Sequence, residues 1–343
     1  MAEHTAIAWT DATVSFWWGC SEAGPGCDNC YARDMNNWRG NGQWGPGAPR
    51  RWIKGAPAML RKLQRGHGAW MSKYFRHRRV FLHSMSDFFD NEVDRAWRVA
   101  ACSEIENAPD LDIQIVTKRL TNVEKLAPAH WLAGGWPQHV GLMVTICTQT
   151  EWDRDVPRLI ALKLKHGIPW IGISMEPMLE EIHIVKPVDI GDLQGVVPMV
   201  ERGTVYPPIA LRLLDWIIVG GESGRFARPL HPRWVRRVQR NCGLYDVAFF
   251  FKQWGAWAPG YRDGADITLR LTKDAPKKLR WHKWFDGTPP SAFVGADRSG
   301  DKLDGQRWQD FPTFGRTGPR LGVDMSEEAG GGSMEFVNGS RTR

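Results

Sequence analysis

The sequence lacks a hydrophobic segment long enough to cross a membrane. Its longest run without Lys, Arg, Asp or Glu is residues 126–150, and Pro128, Gly134 and Pro137 interrupt that run. A membrane-spanning helix needs about 20 consecutive, mainly apolar residues. The first ten residues include Glu3 and contain no long apolar run, so they do not resemble a secretory signal peptide. These features predict a cytoplasmic protein with no membrane-bound segment.

Cysteine is scarce and unevenly placed, with six residues in a chain of 343. That number is too small for a disulfide scaffold in a protein of this length. Three of the six, Cys20, Cys27 and Cys30, form an odd-numbered cluster that cannot pair off internally. In a chain without an export signal, such a cluster more often binds a metal or a cofactor.

Acidic residues are absent from one long stretch, residues 50–80, which contains ten Lys and Arg. These ten charges exceed the formal net charge of +7, so the rest of the chain is slightly acidic. A local basic patch of this kind fits a polyanion such as nucleic acid or a phosphorylated substrate. The alternative is a solvated helix face whose acidic partners come from other segments.

Short apolar runs alternate with segments of helical periodicity, such as residues 94–107 and 156–166. Repeated strand–helix units of this kind imply parallel strands that are buried on both faces. The sequence therefore predicts an α/β fold, a partial TIM-like barrel of six or seven (βα) units, with an open doubly wound sheet as the alternative. The first run lacks the Gly-x-Gly-x-x-Gly turn of dinucleotide-binding folds. The apolar runs are residues 13–17, 80–85, 112–117, 140–147, 169–175, 214–220 and 248–254.

Changes in composition along the chain suggest three regions. Residues 8–258 contain all the strand–helix units and form the predicted barrel, with a basic insert at 39–79. Residues 259–312 are rich in Trp, Gly and turn signals, which predicts a small irregular or β-rich carboxyl-terminal cap. Residues 313–343 are rich in Gly, Ser and charge, which predicts a disordered tail.

Polar or reactive residues follow almost every predicted strand. In a barrel or a doubly wound sheet, the loops after the carboxyl ends of the strands build the active site. The pattern therefore favours an enzyme. The candidate site residues at these ends are Ser84, Ser86, Asp87, Lys118, Arg119, Cys147, Glu176, Gly220, Gly221 and Glu222.

The cysteine cluster has the spacing Cys-x6-Cys-x2-Cys and directly follows the first predicted strand. A structural zinc site would need a fourth ligand, such as His4 or His83 from elsewhere in the chain. Three unrelated buried cysteines are a further alternative. We favour a 4Fe–4S cube held by Cys20, Cys27 and Cys30, because three thiolates leave one iron open for a substrate or for S-adenosylmethionine (SAM).

Several separated motifs along residues 8–312 form one set. They are Gly19-Cys20, Pro25-Gly26-Cys27, Cys30-Tyr31-Ala32, Ser84-Met85-Ser86-Asp87, Thr117-Lys118-Arg119, Glu176-Pro177, Gly220-Gly221-Glu222-Ser223, Arg228-Pro229, the segment 250–255 and Leu303-Asp304-Gly305. The set resembles the phage-associated, three-cysteine, radical-SAM-like family, most of whose members have no assigned function. The resemblance implies a partial (βα) barrel, a 4Fe–4S cluster, SAM as cofactor and an external electron donor of the flavodoxin or ferredoxin type.

The cysteine loop departs from the commonest radical-SAM pattern, which is Cys-x3-Cys-x2-Cys with an aromatic residue before the last cysteine. Here the first gap is six residues long. Asn29 precedes Cys30, and the aromatic residue Tyr31 follows it. A longer first loop still permits three ligands, but it weakens a direct transfer of the SAM-binding geometry.

The resemblance also implies which strand-end residues would contact SAM. Ser84, Ser86 and Asp87 would accept hydrogen bonds from its ammonium group or ribose, unless this motif only caps the next helix. Lys118 and Arg119 would hold a carboxylate or a phosphate, unless they form a surface ion pair.

Three further strand ends carry candidate roles. A carboxylate at Glu176 would be costly to bury without a cationic partner, which favours contact with a ligand. Gly220-Gly221-Glu222 resembles the amine-binding Gly-Gly-Glu of radical-SAM enzymes, although that motif follows an early strand and this one follows the sixth. Cys147 is a candidate hydrogen-atom donor, and a small buried hydrophobic residue is the alternative.

These observations together predict a radical SAM enzyme of a phage or prophage, in the host cytoplasm, that acts on a modified nucleobase or on DNA. The specific hypothesis is a step of thymine hypermodification, in which a glycine joined to thymine through nitrogen becomes joined through its α-carbon. A nucleic-acid repair lyase resembling spore photoproduct lyase is one alternative. A zinc-stabilised DNA-binding module without catalysis is the other. The sequence does not determine the oligomeric state.

Overall fold

A computed structural model describes residues 1–40, 42–189, 204–205, 207–262, 265–266 and 279–312. The predicted tail, residues 313–343, lies outside the described residues, and so does part of the predicted cap. No helix of the described segments is long and apolar enough to cross a bilayer.

Seven parallel strands form the central sheet, and they lie side by side in chain order. Each connection between neighbouring strands contains at least one helix. This order confirms the predicted α/β fold with (βα) units. The strands are β1 (Ala12–Val14), β2 (Arg78–Leu82), β3 (Leu111–Thr117), β4 (Val140–Thr145), β5 (Ile171–Met175), β6 (Trp216–Gly220) and β7 (Ala248–Gln253). The helices are α1 (Tyr31–Trp38), α2 (Ala56–Arg65), α3 (His67–Tyr74), α4 (Arg95–Glu106), α5 (Val123–Leu126), α6 (Gln149–His166), α7 (Pro207–Arg212), α8 (Pro232–Leu244) and α9 (Ala296–Ser299).

The sheet is a partial barrel, because its two edge strands do not pair with each other among the described residues. An aromatic cluster joins strands from both halves of the sheet on its concave face. The Trp9 ring lies 4.7 Å from Phe81 of β2 and 6.2 Å from Trp216 of β6. Phe250 of β7 packs in the same cluster. Strands this far apart in a flat sheet could not share one ring, so the sheet must curve around Trp9.

Both faces of the sheet are apolar, which explains why the strands appear as continuous hydrophobic runs. The second and larger core lies between the sheet and its helices, and it includes Ile113, Ile115 and Val144. Close packing explains Gly141 in β4, because a Cβ there would lie 1.7 Å from the Trp170 indole.

Short antiparallel segments protect both edges of the sheet. Ala2 bridges Thr13 of β1, and Gln309 bridges Phe250 of β7. The Phe311 ring then lies 5.3 Å from Phe250, at the aromatic cluster. An edge strand left open would offer unpaired backbone groups to other chains.

The described part of the predicted cap contains a small antiparallel sheet of Trp257–Ala258, Ser291–Phe293 and Trp281–His282. Separately, Tyr261–Arg262 pairs antiparallel with Ala265–Asp266. The boundaries of barrel, insert, cap and tail stay predictions.

Acidic residues from other segments neutralise much of the basic stretch at 50–80. Arg50 lies 2.7 Å from Asp90, and Asp11 pairs with two arginines. For these residues the alternative interpretation, a basic segment whose acids lie elsewhere in the chain, describes the structure. The paired residues of the stretch are Arg50, Arg61, Lys62, Arg76, Arg78 and Arg79.

Candidate functional site

A cavity lies at the carboxyl end of the sheet, where the loops after the parallel strands meet. It is lined by all three clustered cysteines, Cys20, Cys27 and Cys30. The predicted strand-end residues that line it are Ser84, Ser86, Asp87, Lys118, Arg119, Glu176, Gly221 and Glu222. Gly220 and Cys147 are not among the residues that line it, but they contact two that are, Glu176 and Gly26 respectively.

The cysteine loop is a tight turn that leads into α1. Residues Pro25–Cys27 form one 3-10 turn, in which the Cys27 backbone N–H donates to Gly24. The Cys30 N–H donates to the Cys27 carbonyl at 3.2 Å, and Cys30 is the residue that precedes α1. The second and third cysteines therefore project from one continuous turn, whereas Cys20 lies in the segment that follows β1 and bridges Trp44.

Gly26 lets this turn approach the strand that ends near Cys147. A Cβ at residue 26 would lie 2.4 Å from the Cys147 Sγ, so no side chain fits there without movement. The same Cβ would lie 3.5 Å from the Lys118 Cε. Cys147 is thus a fourth cysteine at the back of the loop, and burial raises the pKa of its thiol to about 12.

Lys118 places a positive charge among the sulfur atoms. Burial disfavours its charged form, but the negative potential of Cys27, Cys147 and Cys30, together with Asp87, raises the pKa of Lys118 above the usual lysine value. Its ammonium nitrogen lies 3.5 Å from the hydroxyl of Thr145. Lys118 therefore stays charged at the side of the cavity where two of the three clustered cysteines lie.

Arg119 places a second positive charge beside the sulfur of Cys20. Its Nη1 lies 3.5 Å from the Cys20 Sγ, and its Nη2 donates to the Ser21 carbonyl at 2.7 Å. Burial nevertheless raises the pKa of Cys20 to about 12, although Arg119 opposes the rise. Cys20 is therefore a neutral thiol in the free protein, and binding a metal would displace its proton.

Asp87 connects the ends of β2 and β3. Its Oδ1 accepts from the Thr117 hydroxyl at 2.8 Å, and its Oδ2 accepts from the Lys118 backbone N–H at 3.0 Å and from Arg119 at 3.1 Å. These bonds orient the two cations. The alternative in which the Ser-x-Ser-Asp motif caps the next helix is wrong, because Asp94 caps α4.

The two predicted serines bond within the chain. The Ser86 hydroxyl donates to the Trp17 carbonyl at 2.9 Å and lies 2.7 Å from the Nδ1 of His83. Since the single hydroxyl proton goes to Trp17, the His83 Nδ1 must carry a proton and donate to Ser86. The Ser84 carbonyl accepts from the Tyr31 hydroxyl at 2.6 Å, which ties the start of α1 to the end of β2.

Glu222 forms an ion pair that fastens the cysteine loop to the end of β6. Arg228 donates to both of its carboxylate oxygens, at 2.6 and 3.0 Å, and Asn29 donates to it at 3.0 Å. The same guanidinium donates to the Pro25 carbonyl at 2.9 Å and to Asp28 at 2.8 Å. The Arg228-Pro229 motif is visible in the sequence, but nothing in the local pattern predicts this pairing of Arg228 with Glu222.

Glu176 has the cationic partner that its burial requires. Its Oε1 lies 2.9 Å from the ammonium of Lys252, and its Oε2 accepts from the Trp9 indole at 3.1 Å. Gly220 makes room for this carboxylate, since a Cβ there would lie 2.7 Å from Oε1. Lys252 lines the cavity but was missing from the candidate list, although its place at the end of the last strand was a signal.

The donor set was compared with the two metal groups that the sequence allowed. Among the described residues, no three His, Cys, Asp or Glu side chains converge where they could bind a single ion. A structural zinc site needs four ligands around one point. A 4Fe–4S cube binds each thiolate to a different iron, so its three ligands need not converge. Free cysteines beside Lys118 and Arg119 fit an anionic cluster of this kind.

The fold and the site define a partial (βα) barrel with a three-cysteine cavity at the carboxyl end of its sheet. The chain belongs to the family described as protein of unknown function (DUF5131), which matches residues 4–312. No curated protein matches the chain.

Two solved structures of mutant spore photoproduct lyase are distantly similar. One, with bound AdoMet and dinucleoside spore photoproduct, is 11% identical with a TM-score of 0.36, over 82% of this chain and 68% of that one. The other, with dinucleoside spore photoproduct, is 12% identical with a TM-score of 0.33, over 82% and 67%.

Proposed function

We propose that this chain is a radical SAM enzyme that holds a 4Fe–4S cluster on Cys20, Cys27 and Cys30 and acts on a nucleobase. The supporting observation is that three free cysteines meet two cations, Lys118 and Arg119, in one cavity at the carboxyl end of a parallel sheet. When bound, the cluster would supply the electron that cleaves SAM and so generates a radical able to take hydrogen from an unreactive carbon.

The positive charges of Lys118 and Arg119 would stabilise the thiolate form of the three cysteine ligands. A buried thiolate is disfavoured by desolvation and favoured by a nearby positive charge. Arg119 lies beside Cys20, and Lys118 is within electrostatic range of Cys27 and Cys30. We therefore assign these two residues first to the cysteines, and Asp87 to holding them in place.

Lys118 would also bind the SAM carboxylate. An ammonium group has three donors, and within the described chain this one makes a single long contact, to Thr145. The other charged candidates, Asp87, Glu176 and Glu222, already bond to side chains of this protein. They remain proposed contacts of SAM, together with Ser84, Ser86, Gly220 and Gly221. The three carboxylates would have to share their existing hydrogen bonds with SAM.

Cys147 remains our candidate for the hydrogen-atom donor. Its high pKa keeps the sulfur protonated at neutral pH, and a thiol S–H is the form that can give up a hydrogen atom. The sulfur packs against Gly26 of the cysteine loop. Because Gly26 has no side chain, the Cys147 sulfur approaches the backbone of that loop directly. A donor in this position would act from the back of the cavity.

For the substrate we propose the thymine that carries a glycine through nitrogen, which the enzyme would isomerise to the form joined through the glycine α-carbon. That step breaks the glycine Cα–H bond and the bond between the thymine methylene carbon and nitrogen. It forms a bond from that methylene carbon to Cα and an N–H bond, so it is redox-neutral overall and suits a cofactor that abstracts hydrogen atoms. The half-buried cation Lys252 lines the cavity, and its ammonium group, which pairs with Glu176, would also contact the glycine carboxylate. The substrate proposal depends on the family resemblance, and the cavity supports it only through charge.

Anaerobic reconstitution with iron and sulfide, followed by a SAM-cleavage assay, tests the cofactor. We expect brown protein that releases 5′-deoxyadenosine only when a reductant is present. Colourless protein that retains zinc and takes up no iron would instead support the DNA-binding module. Cys30→Ala should abolish cluster binding, whereas Cys102→Ala, a buried cysteine of α4, should leave it intact.

Nucleoside mass spectrometry of phage DNA, with and without the gene, tests the substrate. Loss of a C-linked glycyl-thymine and accumulation of its N-linked precursor is the expected result. An unchanged nucleoside profile excludes hypermodification and leaves the repair lyase to be assayed on damaged DNA.

A further inference from the structure

A second cavity adjoins the cysteine-lined one. It encloses about 530 Å³, within the range of roughly 300–1,000 Å³ that small-molecule sites occupy. Its walls are the apolar side chains of Trp18, Trp52, Ile53 and Met85, and we call it the tryptophan pocket. Met85 stands between Ser84 and Ser86, which line the cysteine-lined cavity, so the two cavities are neighbours.

The tryptophan pocket contains one polar group that is not satisfied within the described chain. Ser15 lines the pocket and is 1% exposed, and its hydroxyl has no hydrogen-bond partner among the described residues. Buried hydroxyl groups normally have a partner, because they lose their hydrogen bonds to water on folding. A ligand with a polar edge would provide that partner, whereas a purely apolar ligand would not.

Two cations also line this pocket. Arg51 and Lys54 are exposed, and neither forms an ion pair in the part of the chain that the structure describes. Their neighbour Arg50, in contrast, forms ion pairs with Asp90 and Glu92. Asp90 and Glu92 thus neutralise the buried Arg50, and the positive charges of Arg51 and Lys54 at the pocket remain available for an anion.

We propose that the tryptophan pocket binds one nucleotide of a single-stranded nucleic acid, beside the nucleotide that enters the cysteine-lined cavity. The base would lie against Trp18 or Trp52 and bond to Ser15, and the phosphate would lie between Arg51 and Lys54. Stacking on aromatic rings is how proteins bind unpaired bases of any sequence. This inference rests on the proposed function for its substrate class, and it makes the substrate a strand rather than a free base.

Fluorescence anisotropy with a labelled single-stranded oligothymidylate tests the phosphate contacts. The double variant Arg51→Ala/Lys54→Ala is compared with Arg65→Ala/Lys73→Ala, which removes two other exposed cations of the same basic stretch. We expect the first to weaken binding by about fivefold or more and to reduce the slope of log K against log salt by about 1.4. The control should bind within about twofold of the wild type. Equal losses in both variants would show a diffuse charge effect and overturn the proposal.

Photo-crosslinking of an oligonucleotide that contains 5-iodo-2′-deoxyuridine tests the position of the base. We expect crosslinks to a peptide that contains Trp18 or Trp52, and Ser15→Ala should reduce their yield. Crosslinks confined to other peptides, or no binding of the strand at all, would rule the pocket out. Reductive SAM cleavage without DNA should be the same in wild type and Arg51→Ala/Lys54→Ala. If the wild type fails that assay, the radical SAM function fails while strand binding is still measurable.

Discussion

The Sγ of Cys147 lies so close to the Cα of Gly26 that a Cβ at residue 26 would come within 2.4 Å of the sulfur. The two residues belong to different strand ends, one in the cysteine loop and one after β4. Their contact therefore sets how deeply the cysteine loop sits in the barrel mouth, and with it the position of Cys27 and Cys30.

Gly26→Ala should move the cysteine loop outward, because neither the sulfur nor the turn has space for a methyl group. We expect the reconstituted variant to hold less than half of the wild-type iron and sulfide, measured by colorimetric assay. The matched control is Gly68→Ala, at an exposed helical glycine where an added Cβ meets no atom within 4 Å. A full complement of iron in Gly26→Ala would mean that the loop position does not govern cluster binding.

Arg228→Ala should loosen the attachment of the cysteine loop to the end of β6, because Arg228 joins Pro25 to Glu222. The variant leaves the buried Glu222 without its bidentate partner, and losing hydrogen bonds to a charged group costs about 1.5–3 kcal/mol of unfolding free energy. Urea unfolding of the metal-free protein gives this value. Arg236→Ala, which breaks an exposed pair with Asp304, should cost no more than about 1 kcal/mol. If the two variants are equally stable, Arg228 is not a fastening residue.

His83 should make the protein less stable in mild acid. Complete burial, with a contribution from Arg98, lowers the pKa of His83 well below 6.5, so the imidazole is neutral in the folded state. The unfolded state binds the proton more readily, and stability is lost as pH falls below about 6.5. Between about pH 7.5 and 5.5 this group alone should remove about 1.4 kcal/mol of unfolding free energy. Urea unfolding of wild type and His83→Gln at both pH values gives the difference, and parallel losses would contradict the assignment.

The clustered cysteines should differ in reactivity when no metal is bound. Cys20 is buried and its pKa is about 12, whereas Cys30 is half-buried. Because alkylation needs an accessible thiolate, iodoacetamide near neutral pH should modify Cys30 well before Cys20, as peptide mass spectrometry would show. Reconstitution with iron and sulfide should protect both. Cys102, also buried and with a pKa of about 12, serves as the slow reference in both states.

Much of the fold was predictable from local sequence. The seven apolar runs each correspond to a strand of the sheet, because a strand covered on both faces is hydrophobic at most of its positions. The bounds differ by a few residues. The run at 13–17, for example, contains the short strand Ala12–Val14 and then leaves the sheet. Pairing with the next strand, rather than hydrophobicity, decides where such a strand ends.

The sequence predicted which residues would line the candidate site better than it predicted what those residues would bond to. Strand ends of a parallel sheet share one edge, and this topological rule brought Ser84, Lys118, Glu176 and Glu222 together. It did not reveal that Glu222 would bond to Arg228 or that Glu176 would bond to Lys252. Such pairs join residues that no local pattern connects.

The sequence by itself determined the alternation of strands and helices, the spacing of the cysteines and the excess of positive charge at 50–80. These are properties of neighbouring residues, and their periodicity can be read along the chain. Only the tertiary structure decided that Asp11, Glu3 and Asp90 would pair with five of those ten cations while Arg51 and Lys54 remained available. Electrostatic and hydrogen-bond partners are chosen by distance in space, and that distance exists only once the sheet has curved and its loops have met.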